Sequence, residues 1–472
     1  MDQDLAWWVR IAVDGWRQRP GPRYRRLAAA VTEAVDSGLA APGARLPAER
    51  PLAEALGLSR GTVVRCYEEL VAAGVVARRV GAGTFVRGRP AWTQTPGESA
   101  ASALLRRRIA EDGHAIDLSL SVPAGLEHLP DLPGLRGLRG HGLHPAGTPE
   151  LRAALAEHLT HRLALPTTAE QVIVTSGAQH ALTVLAAAVV SPGRAVLTGC
   201  PTYAGLAGAL AGRGGRLLGV PVDPLGVEVN AVRRAAAQLP APIIYVDSAA
   251  SSPTGAVLSR ARGEALLHVA RRSDALLVED LAQAGLPLDS GEVPIPLAAQ
   301  DDSVIAVGSL SKMFWAGLRI GWIRAPAALH GHLLRLRSAH DLAPSAPSQL
   351  LAVQLLRAVD GAWLADLLAV LRDRRSLVVD LLARHLPAWR VTPPAAGLSV
   401  WAELPVREAE TYAHLAARYG VIVAPGGTSC ACGGHRHGVR LSLAASRQTL
   451  QSAVDGLAAA WQHHAEQLAA SP

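Results

Sequence analysis

Five short apolar runs in the middle of the chain each end in small or polar residues. They are "QVIVTSGAQ" (171–179), "RAVLTGCPTY" (194–203), "APIIYVDSAAS" (241–251), "DALLVEDLAQ" (274–283) and "DSVIAVGSLSK" (302–312). The runs are rich in β-branched residues, and an amphipathic stretch, "HALTVLAAAVV", follows the first of them. Strands that alternate with helices cannot pair as hairpins, so they predict an open, mostly parallel sheet. In such a sheet ligands bind outside the carboxyl ends of the strands. The residues that close these runs are therefore the first place to look for chemistry.

The last run ends on Lys312, the only lysine in a chain with 46 basic side chains. Ala, Gly, Pro and Arg are abundant, which matches a GC-rich coding bias and makes the arginine excess by itself uninformative. A surface lysine is ordinarily a solvated charge that arginine supplies equally well. Only an amine forms an imine with a carbonyl, because a guanidinium stays protonated and is a poor nucleophile. The neighbours fit pyridoxal phosphate. Ser309 and Arg319 flank the lysine at distances that reach one phosphate. Gly177 and Ala178 present backbone N–H groups at a helix N-terminus, an anion site. Asp280 closes the strand "LLVED" and can pair with a protonated ring nitrogen, which keeps the ring an electron sink. Tyr203 in "CPTY" can stack on the ring. Each signal alone is common; it is their order that points to the cofactor.

The front of the chain reads differently. Residues 1–90 hold 14 arginines against 9 carboxylates, whereas the rest is nearly balanced. A basic module implies a polyanionic partner, and nucleic acid is the obvious one; a merely solvated arginine-rich face is the plainer alternative. "YRRLAAAVTEAVDSG" has helical apolar spacing and stops at Gly38. "LPAERPLAEALG" supplies a short helix ending at Gly57, and Ser59 caps a third, "SRGTVVRCYEELVAAG". Val63, Tyr67 and Leu70 share the inner face of that third helix. Arg60, Thr62 and Arg65 stay near its exposed start, as in a recognition helix. "VVARRVGAGTFV" alternates about a glycine turn and predicts a hairpin wing, with Gly81 and Gly83 permitting close approach to a phosphate backbone.

Four cysteines (Cys66, Cys200, Cys430, Cys432) are too few for a disulfide framework. Cys430 and Cys432 form a C-x-C followed by His435 and His437, but no second ligand pair has zinc-like spacing, so no metal site is expected. The start "MDQDLAWWVR" is not a secretory signal, and no run reaches the roughly 18 apolar residues of a membrane span. A cytoplasmic chain without a membrane partner is expected. The expected domains are a winged helix-turn-helix at 1–88, a Pro/Gly/Ser-rich linker at 89–114, and a body at 115–472. The body has a large subdomain at about 140–325 and a small one at about 326–472.

"LPAER", "LGLSRGTVVRCYEEL" and "GAGTFV" resemble the winged helix-turn-helix of GntR-family regulators over about 65 residues in register. The body, 115 to 465, resembles fold type I aminotransferases, an α/β fold with a smaller C-terminal α+β subdomain. Together the two are similar to the MocR/GabR family of pyridoxal-phosphate-dependent regulators. The resemblance implies that Arg50, Arg60, Thr62 and Arg65 contact operator DNA, with Gly83 and Thr84 at the wing. It also implies that Lys312 holds the cofactor, Asp280 its ring nitrogen, and Gly177, Ala178, Ser309 and Arg319 its phosphate. Tyr203 stacks, and Arg440 in "HGVRLSLA" grips a substrate carboxylate. A head-to-tail homodimer follows from the same likeness. The pattern departs at Ala282, where the family has tyrosine, at Ser252, where aminotransferases have asparagine, and at Ala178, often a hydroxyl residue. The expected function is a DNA-binding transcriptional regulator that senses a small amine or amino acid through the cofactor. A working aminotransferase with an accessory DNA reader and a regulator that senses pyridoxal phosphate itself are the rivals.

Overall fold

The computed structural model describes residues 5–9, 13, 15–36, 39–40, 43–79, 81–87, 115–123, 126–131, 134, 142–289 and 294–469. The expected linker, 89–114, lies outside them. The chain divides into two compact units, one formed by its first 98 residues with Ser102–Ala110, the other running from Glu111 to Pro472 with Ser99–Ala101.

The first unit is built on α1 (Arg23–Asp36), α2 (Glu49–Leu56) and α3 (Arg60–Ala72). α2 stops because Gly57 takes the left-handed conformation at φ 66°. α3 starts because the Ser59 hydroxyl accepts the Thr62 N–H at 3.2 Å. Its inner face, Val63, Cys66, Tyr67 and Leu70, is buried in one core with Leu27, Val31 and Leu52. β1 (Val76–Arg79) and β2 (Gly83–Val86) pair antiparallel as the expected hairpin. An apolar segment ahead of α1 joins this core: Trp8, Val13 and Trp16 are buried in it. The Trp8 indole N–H donates to the Arg45 carbonyl at 3.0 Å, and Arg17 donates to the Leu56 carbonyl at 2.8 Å.

In the second unit β3 (Ile116–Asp117) comes first and α4 (Pro149–Arg162) follows. Next come β4 (Val172–Thr175), α5 (Ala178–Val189), β5 (Ala195–Cys200), β6 (Arg216–Asp223), β7 (Gly226–Val227) and β8 (Ile243–Val246). α6 (Arg260–Arg272), β9 (Leu276–Asp280), β10 (Ile305–Ser309) and β11 (Gly321–Arg324) complete one eight-stranded sheet and its cover. Its order is β4-β11-β10-β9-β8-β5-β6-β7. β6, β5, β8, β9 and β10 pair in parallel, and β11 runs antiparallel between β10 and β4. The near-continuous burial of β8, β9 and β10 is what strands covered on both faces demand, whereas β6, toward one edge, is largely half-buried or exposed.

After the sheet come α7 (Ala327–Asp341), α8 (Ala346–Ala358) and the 25-residue α9 (Gly361–His385). β12 (Arg390–Thr392) and β13 (Ser399–Glu403) lead to α10 (Glu410–Arg418). β14 (Val421–Ile422), β15 (Ala424–Pro425), β16 (Gly438–Ser442) and α11 (Arg447–Ala469) complete the chain. An antiparallel sheet β12-β13-β16-β15 packs in a second core with α9, α10 and α11. β3 pairs in parallel with β14, and Leu118 is buried in this second core, so the first strand of the unit packs with its last elements. No described helix is long and apolar enough to cross a membrane.

Trp8→Ala deletes a fully buried ring and strands the Arg45 carbonyl. The expected loss is about 3–5 kcal/mol. It should be read as lowered hydrogen-exchange protection across residues 23–86 while protection of β4–β11 stays unchanged.

Candidate functional site

The carboxyl ends of the parallel strands bring the expected residues together. Asp280 ends β9, where its carboxylate accepts the Tyr245 hydroxyl at 2.6 Å and the Ala282 N–H at 2.8 Å. Burial pushes its pKa up, against those two bonds and the charge of Lys312. Tyr245 was not anticipated. It sits in β8, and the sequence signal was its place two residues before Asp247, one strand over from Asp280. Asp247, also unanticipated, accepts the Ser252 N–H at 2.5 Å. Burial, aided by nearby Asp280, raises its pKa to about 7.

Lys312 follows β10, and its ammonium donates to the Ser121 carbonyl at 2.8 Å. Burial is the main cause that brings its pKa down to about 8; the Arg440 charge adds to this and Asp280 opposes it. Arg440 lies on β16, opposite Trp401, and donates to the Ser119 carbonyl. Its Nε and the Ser121 hydroxyl are buried with no hydrogen-bond partner among the described residues. Leaving a charged donor unmet costs more than a hydrogen bond gains, so these groups are poised for a polar ligand. Tyr203 donates to Gln179 at 3.0 Å, and its hydroxyl feels Asp280, Arg440 and Arg319.

A second cluster sits at the start of α5. Gly177 precedes the helix at φ 89°, and Ala178 is its first residue. Arg319, itself left-handed at φ 52°, donates to the Ser176 carbonyl. A Cβ on Gly177 would stand 2.7–3.1 Å from the Arg319 guanidinium, and one on Gly321 would stand 2.5 Å from the Gly177 carbonyl carbon. Ser309 pairs with Gly321 across β10 and β11, and its hydroxyl accepts the Ser311 N–H at 3.1 Å. This is a cradle of N–H groups, one hydroxyl and one exposed guanidinium, suited to a dianion. The residues present thus fit pyridoxal phosphate on three counts: an amine with a lowered pKa, a buried carboxylate, and an anion cradle that side chains would fill.

On the first unit Arg50, Arg60 and Arg65 are exposed. Arg50 pairs with Glu54 at 3.2 Å and Arg60 with Glu49 at 3.7 Å, exposed contacts worth little and readily exchanged for phosphate. Arg65 stacks on the Tyr24 ring, 4.6 Å from its centroid, which fixes its direction. The Thr62 hydroxyl lies 2.8 Å from Ser59 Oγ, within the helix cap. Thr84 is a correction. Strand alternation buries its side chain, and its carbonyl accepts the Leu46 N–H at 2.8 Å, which ties the hairpin to the preceding segment. Gly83 is exposed, at φ 119°.

Comparison with known proteins agrees with this geometry. Residues 121–457 match the class I and II aminotransferase family, and residues 23–86 match the gntR family of bacterial regulatory proteins. The chain is 28% identical over 465 residues to the HTH-type transcriptional regulator TauR of Rhodobacter capsulatus, covering 89% of this chain and 92% of TauR. It is 29% identical over 397 residues to the probable rhizopine catabolism regulatory protein MocR of Rhizobium meliloti, covering 78% of each. Among solved structures, the α-aminoadipate aminotransferase LysN of Thermus thermophilus, complexed with N-(5'-phosphopyridoxyl)-L-leucine, aligns with a TM-score of 0.71 at 26% identity. That alignment covers 80% of this chain and all of that one. Class I and II aminotransferases generally use pyridoxal phosphate. The chain belongs to the class I and II aminotransferase family and, with its gntR-type front unit, is a transcriptional regulator of the MocR type.

Proposed function

We propose that this regulator binds pyridoxal phosphate at Lys312 and through it senses a small amine or amino acid. The observation that carries the reading is the convergence of Lys312, Asp280 and a half-satisfied Arg440 at the carboxyl ends of the parallel strands. When bound, the cofactor supplies an electrophilic carbon conjugated to an electron-accepting ring. Lys312, its pKa lowered to about 8, offers a neutral amine as nucleophile at neutral pH more often than a solvated lysine does. Asp280 keeps a proton on the ring nitrogen by facing it with a carboxylate that Tyr245 and the Ala282 N–H hold in place. Gly177, Ala178, Ser309 and Arg319 hold the phosphate, and Tyr203 covers the ring. Arg440 has an unused Nε–H for the carboxylate of an amino acid. A head-to-tail homodimer would then set two DNA readers at a spacing that effector binding changes.

A second reading, a working aminotransferase, meets a specific obstacle. Ala282 and Ser252 stand where the family places tyrosine and asparagine near the cofactor's phenolic oxygen, and Ala282 engages the site only through its backbone N–H. The electronic tuning of the ring for repeated proton transfer is therefore weak, and a long-lived bound state suits a sensor.

Three outcomes are expected. Cofactor-free protein should bind pyridoxal phosphate covalently at a rate that rises with pH through about 8, because the free amine increases as the ammonium titrates. Borohydride should then fix the label to one peptide containing Lys312, and Lys312→Arg should remove it. A midpoint near that of a free lysine, or label elsewhere, would overturn the assignment.

For the DNA reader, Arg60→Ala and Arg65→Ala should each cost about 1–3 kcal/mol of operator affinity if they read base edges. Binding should also weaken steeply with salt, measured by fluorescence anisotropy. Retention of operator binding after deletion of residues 1–90 would refute the reader.

With an amino donor and a keto acid, turnover should stay below about 1 per second, the low end of ordinary enzymes. Faster turnover favours the enzyme reading.

A further inference from the structure

The C-x-C-x2-H run that the sequence left without partners acquires one in the fold. β5 ends on Cys200, and the loop between β15 and β16 carries Cys430, Cys432 and His435 to it. The three sulfurs and the His435 Nδ1 all lie within 4.8 Å of one another. Cys200 Sγ is 3.5 Å from Cys430 Sγ and 3.0 Å from Cys432 Sγ, and the latter two are 3.9 Å apart. His435 Nδ1 is 3.6 Å from Cys200 Sγ and 3.8 Å from Cys432 Sγ. For metal–sulfur bonds of about 2.3 Å and metal–nitrogen bonds of about 2.0–2.1 Å, a tetrahedron has S···S edges of about 3.8 Å and S···N edges of about 3.6 Å. Four of these five distances lie within about 0.3 Å of such a tetrahedron's edges, and the Cys200–Cys432 edge is the one that would have to open.

We propose that Cys200, Cys430, Cys432 and His435 form a closed, structural zinc site. Thiolates with one imidazole in a tetrahedral set select zinc over magnesium or calcium, and four protein ligands leave no open position for catalysis. The surroundings are built for it. The His435 N–H donates to Cys430 Sγ at 3.2 Å and the Cys432 N–H to Cys200 Sγ at 3.4 Å, bonds that stabilise thiolates. Gly433 turns the loop at φ 80° between the two ligands it separates. Gly219, on the neighbouring strand β6, makes the space: a Cβ there would stand 2.8 Å from the Cys200 Cβ and 3.3 Å from that of Cys432. A disulfide between Cys200 and Cys432 would use two sulfurs and give no role to the third sulfur or the imidazole. His437, the other histidine of the run, faces Glu403 at 3.7 Å and is not a ligand.

The site would join the two halves of the effector pocket. Cys200 is three residues ahead of Tyr203, and His435 is five ahead of Arg440. A backbone bond from Thr202 N–H to the Ser429 carbonyl, 2.8 Å, already ties these two loops together. The metal would therefore hold the loop that delivers Arg440 against the strand that delivers Tyr203. The zinc assignment itself stands whether or not the pocket binds an amine.

The full-length protein, purified under reducing conditions, should carry one zinc per chain by plasma mass spectrometry. Cys430→Ser, Cys432→Ser and His435→Ala should each lower retained zinc about tenfold or more, whereas His437→Ala keeps it. Cobalt(II) added to chelator-treated protein should give tetrahedral d–d bands and a thiolate charge-transfer band, both lost in Cys432→Ser. No zinc and no cobalt bands in reduced protein would overturn the proposal. So would a native mass showing a Cys200–Cys432 disulfide, or zinc held equally by wild type and Cys432→Ser. Covalent attachment of pyridoxal phosphate at Lys312 is read separately, so failure of one assignment does not touch the other.

Discussion

Two adjacent carboxylates on the central strand β9 set the terms for the rest of the large sheet. Glu279 and Asp280 are both buried and, being neighbours on a strand, face opposite sides of it. A carboxylate taken out of water without compensation costs several kcal/mol, so each side must be furnished with donors. On one side Glu279 accepts the Leu297 and Ala298 N–H groups, both at 2.9 Å, and the Ser248 hydroxyl at 2.5 Å. On the other, Tyr245 and the Ala282 N–H serve Asp280. A slip of one residue would swap the two side chains and leave both unsatisfied. The register of β9 against β8 and β10 is thereby fixed, and with it the place of Lys312, which follows β10, relative to Asp280.

The parts of this design that were legible in the sequence share a physical reason. Strand ends, a helix cap at Ser59, a glycine stop at Gly57 and a glycine turn at Gly81 are local choices, encoded within a few residues. The lone lysine was legible because composition isolated it. What stayed hidden depends on contacts between distant segments. Tyr245 reads as an ordinary β-strand residue until β9 is laid beside β8. Cys200 reads as an isolated thiol until a loop 230 residues later folds onto it. Trp8 and Trp16 lie in a segment too short and irregular to show a period, yet they fill the reader's core. Thr84 misled because its motif neighbours are exposed, whereas strand alternation turns its own side chain inward.

The pocket's two cations share an unusual arrangement. Lys312 donates to the Ser121 carbonyl and Arg440 to the Ser119 carbonyl, two acceptors on one extended segment that begins with β3. That segment is held elsewhere by backbone bonds to the small sheet region, from Leu118 N–H to the Ile422 carbonyl and from Ser442 N–H to the Leu118 carbonyl. One hold on it from the large-sheet side is the Lys312 side chain, which the proposed function assigns to the cofactor.

Under that function two of the bonds on this segment would be exchanged when the pocket fills, and their energy scale suits a switch. A hydrogen bond from a charged donor contributes about 1.5–3 kcal/mol, and a typical coupling between two ligand sites is about 1–3 kcal/mol. Lys312 bound to the cofactor withdraws its donor from Ser121. An effector carboxylate that takes the Arg440 guanidinium into a bidentate pair competes with Ser119 for the same group. Occupancy of the pocket thus releases carbonyls whose bonds are each comparable to the whole coupling required. Ser119 and Ser121 lie just beyond Leu118, whose backbone bonds to Ile422 and Ser442 stay in place, so the release acts on the wall of the pocket. The groups proposed to recognise the ligand are, in its absence, the groups that hold this wall of the pocket, so filling the pocket and loosening its wall are one event.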